Sequence, residues 1–73
     1  MSDNFVARSY RYHQLHEEPT DTIDEAIAFL AAGADQGECS PDNVTRPDGT
    51  VVLDHAETTR RIHAKLQEWD EGR

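Results

Sequence analysis

The spacing of apolar residues changes period from segment to segment along this chain. The stretch Phe5-Val-Ala-Arg-Ser-Tyr-Arg-Tyr-His-Gln-Leu-His16 is rich in aromatic and β-compatible residues and contains neither Gly nor Pro. As a strand, it places Val6, Arg8, Tyr10 and Tyr12 on one face and Phe5, Ala7, Ser9, Arg11, His13 and Leu15 on the other. Neither face is cleanly apolar. The pattern predicts one strand that ends before Glu17-Glu18-Pro19.

The period then becomes helical. Ile23, Ile27, Leu30 and Ala34 fall at i, i+4, i+7 and i+11, with Ala26 and Phe29 widening the stripe. Thr22-Ile-Asp-Glu25 has capping-box spacing, and Asp24 and Glu25 suit the positive end of a helix. Gly33 or Gly37 is the predicted stop.

Two short β-like runs follow, Asn43-Val-Thr-Arg46 and Thr50-Val-Val-Leu53, separated by Pro47-Asp48-Gly49. Proline presets the first turn position, Asp supports the second and Gly supplies a positive φ, so the segment predicts a tight hairpin. Asp54-His-Ala-Glu57 repeats the cap spacing. Behind it Ile62, Leu66 and Trp69 form a second helical stripe, with Ala56 and Thr59 on adjoining positions and an end near Asp70 to Gly72.

The predicted order is β-α-β-β-α. Two helices and a small sheet bury their apolar sides only against each other, which predicts an α+β fold: a two-layer sandwich of a three-stranded sheet packed against two helices. The pattern leaves the strand order open. It leaves at least two sheet edges unpaired, and such edges invite another chain. Seventy-three residues with no internal repeat or linker make one domain over 1–73, ordered from about 5 to 70. A chain this short buries only roughly 60% of its unfolded surface, so its stability is expected to be marginal. Cys39 is the only cysteine, so no intramolecular disulfide staples the fold.

Charge sharpens the picture. The formal net charge is −8, and residues 17–54 hold ten acids against one base, Arg46. Phosphate contacts need clustered cations, so direct nucleic-acid binding is not expected. Solubility is the simplest account of the acidic segment; attraction of a basic protein partner and mimicry of nucleic acid are the others. No apolar run approaches the roughly 20 residues that span a bilayer. MSDNF lacks the basic flank and apolar core of a secretory signal. No membrane association is expected, and a cytoplasmic location is.

Candidate chemistry is sparse. His13 and His16, beside Glu17 and Glu18, could serve a small metal-dependent module, but zinc needs three or four converging ligands and residues three apart on a strand face opposite ways. His55 and His63 stand about 12 Å apart by helix rise. Cys39 has acidic neighbours, where a nucleophilic thiol needs positive charge. Arg60-Arg61 is offset by Glu57 and Glu68. No phosphate-binding glycine loop occurs, and Asp24 and Glu25 already have a capping role. These residues predict neither an enzyme nor a cofactor. Tyr10, Tyr12 and Trp69 are the aromatic candidates for an interface, and Asp24, Asp35 and Glu38 are acidic candidates for steering a basic partner.

The motifs Thr22-x-x-Glu25-Ala26-Ile27-x-Phe29-Leu30, Gly37-Glu-Cys-Ser-Pro41 and Pro47-Asp-Gly-Thr-Val-Val-Leu-Asp54 together resemble short uncharacterised actinobacterial and actinophage proteins over about residues 5–70. They are caps and turns, so the resemblance implies a fold and no active site. The expected function is a non-enzymatic regulatory or interaction module that binds a protein partner or forms a homodimer. Nucleic-acid mimicry and a metal-dependent module at His13 and His16 are the alternatives.

Overall fold

The computed structural model describes residues 4–37 and 39–71. Its elements are β1 (Phe5–Arg11), β2 (Gln14–Thr20), α1 (Ile23–Asp35), β3 (Ser40–Thr45), β4 (Val51–Leu53) and α2 (His55–Glu71). The fold is α+β: both helices pack on one face of a four-stranded antiparallel sheet of order β2-β1-β3-β4.

The predicted single N-terminal strand is two strands. The chain reverses at Tyr12-His13, and β2 runs on through Pro19 to Thr20. Both turn residues have positive φ, 53° and 67°, the backbone of a type I′ turn. Asn and Gly normally mark such a turn; neither is present. Cross-strand chemistry compensates, because the register sets Arg8 opposite Glu17 and Tyr10 opposite Leu15. Such pairs stabilise a hairpin by about 0.2–1 kcal/mol each. Pro19 sits opposite Val6 in the outermost strand, where its missing N–H interrupts no ladder.

The predicted β3–β4 hairpin forms. The Gly49 N–H donates to the Arg46 carbonyl at 2.9 Å and the Arg46 N–H to the Thr50 carbonyl at 2.8 Å. Gly49 has φ 95°. The Asp48 carboxylate accepts from the Thr50 N–H at 2.9 Å. β3 starts earlier than predicted, at Ser40, and carries Pro41 where the β1 register shifts between Arg8 and Ser9. Proline is tolerated in a sheet at such an irregularity.

The first helix is capped at Thr22, whose hydroxyl accepts from the Glu25 N–H at 3.1 Å. Glu25 reaches back one residue further than a capping box requires, to the Asp21 N–H. The helix runs through Gly33 and stops before Gly37, which has φ 71°. Position 33 is a close-packing site. A Cβ there would lie 2.5 Å from the Cys39 sulfur, so the thiol fills the space a side chain would need.

The α2 helix is capped by Asp54, which accepts from the Glu57 N–H at 2.9 Å. Glu57 does not return to the cap; it receives Arg60 at 2.6 Å and Arg61 at 3.0 Å. Ile62 and Leu66 face the core as predicted, but Thr58, rather than Ala56 or Thr59, is the buried residue of the first turns. Its hydroxyl donates to the Leu53 carbonyl at 3.3 Å, which satisfies it at zero exposure. Trp69 leaves the stripe and is 36% exposed. Lys65 joins the helices through Asp24 at 2.7 Å.

The core is small: Ala7, Ala26, Ile27, Leu30, Ala31, Val44, Leu53 and Ile62 are buried. Three of these are alanines, which lets α1 lie close to the sheet. Leu30 and Val44 are the largest apolar side chains sealed completely.

Candidate interaction surface

Strand alternation sorts the sheet into two faces. Ala7 and Ser9 point to the helices and are buried, so Val6, Arg8 and Tyr10 point the other way. Directly opposed residues share a face, and the register therefore extends this second face in three rows. Leu15, Tyr10 and Ser40 form one end. Glu17, Arg8 and Asn43 form the middle. Pro19, Val6, Thr45 and Val51 form the other end. Burial varies along these rows: Thr45 is sealed at 2% exposure, whereas the first row and both ends of the third are open. Leu15, Tyr10 and Val51 are 42%, 45% and 53% exposed, so three of the six exposed large apolar residues share one face.

The middle row is electrostatically balanced but loosely built. Arg8 Nε lies 3.6 Å from Glu17 Oε2, and the Glu17 side chain is 57% exposed. Neither Arg8 Nε nor Asn43 Oδ1, opposite in register, has a hydrogen bond, although both atoms are buried. Each is a polar group left short of partners, a cost of roughly 1–3 kcal/mol. Beyond the first row the hairpin tip carries Tyr12, 89% exposed and held at positive φ. Bulky residues seldom adopt that region, and such strain gathers at functional sites.

The six sequence candidates do not form one cluster. Tyr10 lies on the open face and Tyr12 at the adjoining tip. Trp69 belongs to α2, in the layer on the opposite side of the sheet. Asp24 is engaged with Lys65, Asp35 is exposed in the last turn of α1, and Glu38 lies outside the described residues. Leu15 and Val51 were missed, because only the strand registers reveal that they share a surface with Tyr10, whereas strand alternation already set Arg8 beside it.

The remaining chemistry is dispersed. His13 occupies the turn, while His16 lies on the helix side and stacks on Phe29 with centroids 6.5 Å apart. His55 Nδ1 sits 3.1 Å from the Asp42 carbonyl oxygen. Among the described residues no group of three or more His, Cys, Asp or Glu side chains is placed to hold a metal ion. A cleft of about 290 Å³ under the C-terminal half of α1 is lined by Ser9, Arg11, His16 and Cys39. Several acids serve structure. The Thr50 N–H and hydroxyl hold Asp48 below its ordinary value, Arg60 and then Arg61 do the same to Glu57, and the Asp24 hydrogen bond raises Lys65.

No described helix is long and apolar enough to cross a membrane. The chain matches no family model, no curated protein and no solved structure.

Proposed function

We propose that this chain is a non-enzymatic protein-interaction module that binds a partner protein through the β1–β2 hairpin, using the outer sheet face and its edge. The observation that carries the reading is the cross-strand pair Tyr10–Leu15, large and apolar, standing exposed at one end of the sheet face turned away from the helices. Aromatic and apolar anchors of this kind supply much of the energy of protein interfaces. The strained, exposed Tyr12 at the tip extends the same surface. The carboxylates support the reading from the other direction: Glu25, Asp48, Asp54 and Glu57 serve caps, a turn and ion pairs, rather than converging in a cleft.

The test is site-specific photo-crosslinking in an extract of the encoding organism. A photoreactive aromatic residue replacing Tyr10 is expected to give discrete protein adducts, and the same residue replacing exposed Gln67 on α2 is not. Equal labelling from the two positions, or none from position 10, would sink the proposal.

A further inference from the structure

We infer that the free edge of β2 accepts a basic, extended segment of another protein as an added strand. This rests on the proposal above and names the partner's chemistry. The sheet order leaves two edges, and they are unequal. β4 has three residues and a register shift against β3, whereas β2 has seven residues in unbroken register with β1. In a hairpin closed by two residues, the flanking pair Arg11–Gln14 exchanges hydrogen bonds, and bonded pairs then alternate along the ladder. Ser9–His16 and Ala7–Glu18 are therefore bonded. The N–H and C=O groups of Leu15 and Glu17 point outward, together with the Pro19 carbonyl. This edge offers an incoming strand two donors and three acceptors, which is the requirement for β-augmentation. Pro19 ends the donor row and confines the added strand to the half nearest Tyr12.

Charge selects the occupant. Glu17 and Glu18 are consecutive, so one carboxylate lies on each face of the same edge; β2 itself carries no Lys or Arg, and the cation of β1 nearest Glu17, Arg8, sits at a loose 3.6 Å. Edge strands are commonly protected by lysine; this one has the opposite sign. A second copy would bring its own acidic edge and a further −8 against it. Two consecutive cations in an extended segment would sit one on each face, beside Glu17 and Glu18, and a flanking apolar residue would reach Leu15.

The test uses a blocked hexapeptide, Thr-Val-Lys-Lys-Val-Thr, and its Glu-Glu counterpart, titrated into the isotope-labelled chain. The expected result is resonance shifts confined to β1 and β2, with hydrogen exchange at the Leu15 and Glu17 amides slowed about tenfold or more at saturation. Glu17→Gln with Glu18→Gln should weaken binding roughly tenfold, and the acidic peptide should not bind. Unchanged exchange at those two amides, shifts centred on the helices, equal binding of the acidic peptide, or no binding would each overturn the inference. Crosslinks from position 10 alongside any of those results would remove the edge mode and leave the interaction surface standing. A homodimer seen by light scattering with Leu15 and Glu17 protected would replace the basic segment with a second copy.

Discussion

The β3–β4 hairpin turns through Pro47-Asp48-Gly49, with Gly49 at φ 95° and the Asp48 carboxylate on the Thr50 N–H; the β1–β2 hairpin turns through Tyr12 and His13, both at positive φ without a glycine. The first reversal is written into its turn. The second is set by its strands, where Arg8 meets Glu17, Tyr10 meets Leu15, and Ala7 and Ser9 must both reach the core. Their surroundings differ in the same sense. β4 sends Leu53 into the core, while β2 is exposed over most of its length and presents Leu15 to solvent. The hairpin whose turn opposes it and whose outer strand is spare for packing is the one on which the proposed partner binding rests. One closed by its own turn and anchored in the core is suited to holding the fold.

The same substitution in the two hairpins gives the largest contrast. Leu53→Ala is expected to cost about 3 kcal/mol, a transfer loss plus a cavity, against a total stability of roughly 4–11 kcal/mol for a chain of this length. Leu15→Ala should cost under about 1 kcal/mol, the value of a cross-strand pair. Urea denaturation of both variants checks this, and equal losses would erase the distinction. Next comes Gly49→Val. The space beside Gly49 is open, so the expected loss of about 2 kcal/mol comes from the backbone angle alone. An unchanged melting transition would mean that the turn does not need that angle.

Replacing Tyr12→Asn and His13→Gly together should raise stability by about 1 kcal/mol, because those residues accept a type I′ turn. A loss instead would show that the Tyr12 and His13 side chains support the hairpin. The smallest effect is a pH dependence confined to the β3–β4 turn. Asp48 is held below its ordinary value of 3.8, chiefly by the Thr50 N–H. A lowered folded value contributes stability above that ordinary value and loses it as pH falls through the folded one. NMR titration from pH 5 to 2 should move the Thr50 amide at a midpoint below 3.8. A midpoint at or above the ordinary value would deny the bond any preference for the ionised form.

Both helices were legible because amphipathic period and capping residues are local signals. Thr22 and Asp54 cap where their spacing says, and Ile27, Leu30 and Ile62 point inward. Legibility failed at the edges of those patterns. Trp69 continues the i, i+4, i+7 series but emerges from the core, 36% exposed. Gly33 reads as a helix stop yet lies within α1, where it makes room for the Cys39 sulfur, a neighbour that only folding supplies. Of the candidate surface, Tyr10 and Tyr12 were visible as aromatics. Strand period set Arg8 on the face of Tyr10 but put Leu15 on the other, because it treated two strands as one piece, and it could not relate Val51 to either.

What the sequence by itself determined is therefore whatever is set within about one turn of chain: two capped amphipathic helices, the Pro-Asp-Gly reversal, and an α+β class that follows from having both element types to bury. The tertiary structure decided the rest. Folding β1 back on β2 becomes favourable only when Ala7 and Ser9 are buried beneath α1 and the opposed side chains match, and those contacts outweigh the strain at Tyr12 and His13. That single reversal turned three strands into four, placed β2 at the edge, and left Tyr10 and Leu15 exposed on the face away from the helices.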